Sequence, residues 1–201
     1  MNLAQHAQQN VKRIIRNEHA SISAVVSGLQ HVIKLMDRGK GPPDLKAFRA
    51  MLLYLSDYPQ RIHHPKEDRY LFERIRKRSS ELDTMLAELE FQHVQGAGLL
   101  HEIEHALNRY EFDGQTAFPV FRDLVTEFAK FYIRHMRLEE EHVMPAAVRL
   151  LTDDDWVVIE AAFRSDRDPL ADGPTTDSME RLFTTIVNLT PSPSGLGTPL
   201  E

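Results

Sequence analysis

Apolar residues recur along this chain at steps of three and four over long stretches, the periodicity of helices that bury one face. Val11, Ile15, Ile22, Val26, Leu29 and Ile33 form one stripe and predict a first helix over 5–37. The run Arg38-Gly39-Lys40-Gly41-Pro42-Pro43 ends it, since glycine closes a last turn and proline cannot continue one. Phe48, Leu52, Leu55, Ile62 and Leu71 mark a second helix over 44–78. Within it Pro59 and Pro65 each remove a backbone donor, which predicts a kink or break near 58–65. A third helix is expected over 81–112, capped by Ser79 or Ser80 and stopped at Asp113-Gly114. A fourth runs over 118–150 with Phe121, Leu124, Phe128 and Val143 inward. Helices of about 30 residues and near 45 Å, joined by short turns, predict an all-α, up-down-up-down four-helix bundle.

After Leu151 the pattern changes. Thr152-Asp153-Asp154-Asp155 reads as a capping box opening a short helix to about Arg164. A Pro/Gly/Asp-rich loop over 166–174 follows, then a last short helix over 177–188 expected on the outside of the bundle. The expected division is a bundle with a metal site over 1–150, a helical extension packing on it over 151–189, and a flexible tail over 190–201.

Charge and composition narrow the function. With 24 basic and 30 acidic residues the net charge is −6, which disfavours a phosphate backbone as partner. No apolar run approaches the roughly 20 residues that span a bilayer, so no membrane partner is expected. The first ten residues lack the apolar stretch of a secretory signal, and a cytoplasmic location is expected. Cysteine is absent, which removes disulfides, thiolate metal sites, iron–sulfur clusters and cysteine nucleophiles together. Ten histidines, the commonest protein metal ligand, need an explanation.

Four of them lie on the apolar stripes, one per long helix: His19, His63, His93 and His135. His19 to His63 spans 44 residues and His93 to His135 spans 42; His63 to His135 spans 72 and His19 to His93 spans 74. One helical hairpin therefore occurs twice, with a histidine on its first helix and His-x-x-x-Glu-acid on its second (His63 with Glu67 and Asp68, His135 with Glu139 and Glu140). Residues four apart on a helix differ by only about 40° in direction, so each His–Glu pair points one way. Antiparallel packing then aims four imidazoles and two carboxylates, His19, His63, Glu67, His93, His135 and Glu139, at one volume. Buried carboxylates without a counter-charge cost several kcal/mol each or take up protons. A pair of divalent cations removes that cost: two carboxylates and a bridging hydroxide offset three of four charges, and two imidazoles serve each metal.

At these residues the chain resembles the hemerythrin-like family, the HHE cation-binding domain. The resemblance rests on Asn17-Glu18-His19, on 63–72, on His93 and on 135–145, and covers about 8–150. It implies a four-helix bundle around a non-haem di-iron centre, carboxylate- and oxo- or hydroxo-bridged, that binds O2 or another small oxidant or radical such as NO. His19, His63, Glu67, His93, His135 and Glu139 would be the ligands, with Glu67 and Glu139 bridging. Oxygen-carrying hemerythrins have a second histidine one turn after the helix-three ligand; here that position is Ala97, which points toward sensing, iron handling or redox defence. A sulfur-free N/O donor set suits iron, with manganese or zinc as other candidates.

The other histidines receive plainer readings. His64 lies 100° round the helix from His63 and is expected off the metal unless Pro65 breaks the helix. His142 is a candidate second layer behind Glu139; His101 and His105 are expected at solvent or an interface, and His6 and His31 at the surface. Tyr54, Tyr58 and Tyr132 are expected to pack near the core stripe, with ligation or a hydrogen bond to a bound oxygen species as the alternative. The expected role is small-molecule binding without a catalytic residue, with O2, NO or peroxide as partner and a homodimer possible. The alternatives are a di-iron oxidase or peroxidase-like enzyme on the same bundle, or a ferritin-like carboxylate centre using Glu90-x-x-His93 and Glu139-x-x-His142.

Overall fold

The computed structural model describes residues 3–39 and 45–165, together with 168 and 170. Its helices are α1 (Leu3–Asp37), α2 (Leu45–Asp57), α3 (His64–Lys66), α4 (Glu73–Arg78), α5 (Asp83–Asp113), α6 (Phe118–Leu138), α7 (Met144–Leu150) and α8 (Asp153–Ser165). Wide π-helical turns over Pro59–His63 and Glu67–Phe72 join α2, α3 and α4 into one arm, and a third over Glu139–Val143 joins α6 to α7. No strand occurs among the described residues. α1 packs on α2, α6 and α8, and α5 on α6 and α2, closing an all-α four-helix bundle with α8 laid along α1. The expected helix over 177–188, the tail and the prolines of the first turn lie outside the described residues. No helix among the described residues is long and apolar enough to cross a membrane.

The ends follow the local chemistry. Gly39 (φ 68°) and Gly114 (φ 62°) close α1 and α5 in the left-handed region that only glycine enters freely. Asp155 N–H donates to Thr152 Oγ1 at 3.3 Å while Thr152 N–H donates to Asp155 Oδ2 at 2.9 Å, the reciprocal capping box at the start of α8. The third long helix begins at Asp83, two residues later than expected. Ser79 Oγ accepts from Glu81 N–H at 3.2 Å and is spent on the preceding turn rather than on a helix cap.

The core is two apolar clusters. Ile22, Val25, Val26, Leu29 and Ile33 of α1 pack with Phe48, Leu52 and Leu55 of α2, Ile103 and Leu107 of α5, and Phe121, Val125 and Phe128 of α6. Ala7, Val11 and Ile15, at the other end of α1, pack with Leu71, Phe72, Ile75, Leu86, Leu89, Val143 and Ala147, and with Trp156, Ile159 and Phe163 of α8. The layer between the clusters is polar: His19 falls between Ile15 and Ile22, and His93 between Leu89 and Leu100.

The π turns were not expected, and they have a geometric cause. His63, Glu67, Leu71 and Ile75 are all buried, as are His135, Glu139, Val143 and Ala147. A beat of four drifts about 40° per step in an α-helix, so three steps would swing the last residue about 120° off the core. Bonding to the fifth residue back widens the turn and cancels the drift: Glu73 N–H donates to Asp68 O, and Met144 N–H to Glu139 O. Both repeats widen at the same place, since Glu67 and Glu139 each open such a turn. Ahead of Pro65, His64 N–H likewise donates to Pro59 O, and the arm widens where a kink or break was expected. The fourth helix, expected to be regular from 118 to 150, is interrupted in the same manner.

Candidate metal centre

All six side chains singled out by the repeat are buried, between 1 and 5% exposed, and they meet in the polar layer. His63 Nε2 lies 3.4 Å from Glu67 Oε2, and His135 Nε2 lies 3.3 Å from Glu139 Oε1. Across the bundle, His19 Nε2 is 3.7 Å from Glu67 Oε1 and 3.4 Å from Glu139 Oε2; His93 Nε2 is 3.8 Å from Glu67 Oε2 and 3.5 Å from Glu139 Oε1. Each carboxylate thus faces histidines from both hairpins. Most of these separations are long for a hydrogen bond. They suit two donors on one cation, since ligand atoms about 2.1 Å from an ion sit roughly 3 to 3.5 Å apart.

Every one of the four imidazoles is fixed from behind through Nδ1, which leaves Nε2 for the centre. His19 donates to Glu140 Oε1 at 2.9 Å, His63 to Glu18 Oε2 at 2.7 Å, His93 to Asp68 Oδ1 at 2.8 Å and His135 to Gln92 Oε1 at 3.1 Å. This outer layer obeys the repeat. Glu18 and Gln92 are 74 residues apart, like His19 and His93; Asp68 and Glu140 are 72 apart, like His63 and His135. A hydrogen-bonded Nδ1 sets tautomer and ring plane, the usual support behind a metal-bound histidine.

The electrostatics show how much charge the layer holds. Burial alone lowers an imidazole, but at His19 the hydrogen bond to Glu140 and the carboxylates of Glu67 and Glu139 outweigh it and push the group up to about 10. His93 is likewise pushed up to about 10, against burial, by Asp68, Glu139 and Glu67. His63 is raised despite burial by Glu67 and Glu18. Burial would raise Glu139, yet His135, His93 and His19 hold it well below the ordinary carboxylate value. Glu18 is also held low against burial, mainly by His63 and Tyr58.

The donor set is incomplete without a cation. His19 Nε2, Glu67 Oε2 and both Glu139 carboxylate oxygens are buried with no hydrogen-bond partner among the described residues. His93 Nε2 faces His135 Nε2 at 3.2 Å, two nitrogens that need a proton or a metal between them. Among the described residues, three groupings offer ligand atoms close enough for one ion: His19, His63 and Glu67; Glu67, His93 and Glu139; and His64, His93 and His135. An opening of about 330 Å³ between α1 and α6, flanked by Arg16, Ser23 and Glu140, reaches the His19 ring.

A family model for the hemerythrin HHE cation-binding domain matches residues 9–147. The chain belongs to that family. No curated protein and no solved structure matches this chain. A hemerythrin HHE domain is a metal-binding bundle, which agrees with the unpartnered donors at its middle.

Within this hemerythrin domain His64 lies closer to the polar layer than its place 100° round from His63 led one to expect. It is 3% exposed, its ring stacks on His93 with centroids 4.1 Å apart, and its Nδ1 has no partner. Burial and the neighbouring His93, His63 and His135 keep it well below the ordinary imidazole value. Adjacent residues of the arm both reach the polar layer because the inward face is about 100° wide, and the His63 and His64 ring centroids lie 5.5 Å apart. Ala97, by contrast, is exposed. His142 is exposed and contributes no second layer, and Glu90 pairs with Arg76 at 2.5 and 2.9 Å, so the ferritin-like pattern is not assembled. His101 and His105 are exposed along a groove of about 700 Å³ on the outer face of α5 and α6; His6 is exposed and His31 half-buried. Glu18 and Gln92 were missed, although the residue preceding each first-helix histidine could have been compared across the repeat. Of the tyrosines, Tyr132 lies beside His64 and His135, while Tyr58 reaches the centre only through Glu18.

Proposed function

We propose that this domain holds two non-haem iron ions bridged by Glu67 and Glu139, with His19 and His63 on one and His93, His135 and His64 on the other, and binds O2, NO or peroxide there for sensing, iron handling or redox defence. The observation that carries this reading is the set of buried nitrogen and oxygen atoms that face one another without protein partners. Left as they are, each costs on the order of 1–3 kcal/mol. Five imidazoles, two carboxylates and no sulfur favour iron, then manganese or zinc.

Iron bound there would supply an open coordination position and one-electron changes of charge. The chain's part is placement and exclusion. Glu140, Glu18, Asp68 and Gln92 hold the rings in plane, the two apolar clusters keep bulk water from above and below, and a small opening lies beside His19.

The test is anaerobic loading with ferrous iron followed by elemental analysis and an aerobic spectrum. Two metals per chain and an absorption band of a bridged ferric pair are expected; none or one per chain refutes the pair. Admitting O2 to the reduced protein then separates roles. A stable adduct without turnover supports binding, and sustained consumption of O2 or peroxide supports the oxidase or peroxidase-like alternative.

A further inference from the structure

One buried polar chain runs away from the centre. Glu18 Oε2 accepts from His63 Nδ1 at 2.7 Å, and Glu18 Oε1 accepts from the Tyr58 hydroxyl at 2.6 Å. The Tyr58 ring stacks on Tyr54, with centroids 6.0 Å apart and planes 19° from parallel. The Tyr54 hydroxyl donates to Asp168 Oδ1 at 3.1 Å, as does Leu170 N–H at 2.9 Å. Glu18, Tyr58, Tyr54 and Asp168 are each 2% exposed or less.

A phenol that gives up an electron gives up its O–H proton with it, so a buried tyrosine is oxidisable only where an acceptor is already hydrogen-bonded to it. Tyr58 and Tyr54 each have a carboxylate in that place. Tyr132 makes the contrast. Its ring is 6.0 Å from His64 and 6.3 Å from His135, yet its hydroxyl accepts from Gln60 Nε2 at 2.5 Å and bonds no carboxylate among the described residues.

We propose that Tyr58 is a redox-active residue, a one-electron donor to an oxidant at the metal centre, with Tyr54 as a second phenol behind it. The proposal rests on the metal-centre reading above, with peroxide as the oxidant. Peroxide takes two electrons and two protons to become two waters. Tyr58 would supply one electron, through the Glu18–His63 hydrogen bonds, and a ferrous ion held at the centre would supply the other. The Tyr58 O–H bond breaks, its proton passes to Glu18 Oε1, and two protons from solvent complete the waters. Tyr58 is left as a neutral phenoxyl radical, shielded from water and stacked on Tyr54.

The experiment uses the full chain loaded anaerobically with ferrous iron, mixed with hydrogen peroxide, frozen, and read by electron paramagnetic resonance with iron content measured on the same sample. A tyrosyl signal is expected that narrows when the protein is grown on ring-deuterated tyrosine, disappears in Tyr58→Phe and survives in Tyr132→Phe. Should Tyr58→Phe fail to hold iron, elimination decides: the signal must survive Tyr132→Phe, Tyr70→Phe, Tyr110→Phe and Tyr54→Phe in turn. A signal that persists in iron-loaded Tyr58→Phe, or is lost in any of those four, overturns the proposal. Protein that takes up iron and gives no radical overturns it alone; protein that takes up no iron overturns the metal-centre reading as well.

Discussion

Replacing His64 by leucine should separate metal binding from folding, because the two depend on this residue with opposite signs. Its imidazole is 3% exposed and Nδ1 is unpartnered, a burden on the metal-free fold of about 1–3 kcal/mol. Leucine has similar bulk and no polar atom, so the stacking volume beside His93 is kept and the unpartnered nitrogen is gone. The metal-free variant should be more stable by about 1–2 kcal/mol, roughly 2–8 °C in Tm for a domain of this size. In the presence of metal the order reverses. Each tenfold loss of affinity removes about 1.4 kcal/mol of ligand-linked stability, so the metal-induced rise in Tm shrinks. Thermal unfolding of both proteins, with chelator and with anaerobic ferrous iron, reads both effects, alongside metal per chain. A metal-free variant less stable than the parent, with an undiminished response to iron, would refute the reasoning and make His64 an ordinary core residue.

Other outcomes follow from the same geometry. Asp68→Asn and Glu140→Gln remove the charge behind His93 and His19 and should weaken metal affinity about 10- to 100-fold in chelator competition; unchanged affinity would end their role as positioning groups. His19 and His93 are pushed up to about 10 from 6.5, so their contribution to metal-free stability is complete below about pH 6.5 and declines as pH rises toward 10. Metal uptake must displace those protons and should strengthen over the same window; a urea midpoint in chelator that stays flat across it counts against the assignment. Trp156→Ala should cost about 3–5 kcal/mol in urea unfolding, because its 2%-exposed ring joins α8 to the cluster around Val11 and Ile15. A loss below about 1 kcal/mol would mean that α8 is dispensable to the fold.

The bundle and its polar layer were legible because both leave periodic traces. Ile15, His19 and Ile22 read as one stripe whether or not the function of His19 is known, and the 72- and 74-residue offsets pair the hairpins without any coordinates. His64 was illegible for a definite reason: a residue 100° round from His63 looks outside the inward stripe, yet that stripe is wide enough here to take both rings. The wide turns left a signal of their own, a beat of four at 63, 67, 71 and 75 that α geometry cannot keep on one face. Glu18 and Gln92 were overlooked because a polar residue beside an inward histidine looks like the solvent side of the helix, yet both are buried. The polar ends of Tyr54 and Tyr58 depend on Asp168 and Glu18, partners 114 and 40 residues away, and no local pattern specifies such pairings.

The widened turns give this chain an odd residue in each half, and that has a consequence for what lengths it tolerates. Deleting one residue just after Glu67 or Glu139, at Arg69 or Glu141 for instance, would return the turn to ordinary winding. Leu71 and Ile75 would then fall three and seven residues beyond Glu67, and Val143 and Ala147 three and seven beyond Glu139, the spacing that an α-helix keeps on one face. Each half could therefore lose a residue with its buried stripe still facing the core, the far end drawn in by the rise of one residue, about 1.5 Å. A shortening that would throw an ordinary helix out of phase by about 100° is absorbed here, because the wide turn already accommodates the extra residue.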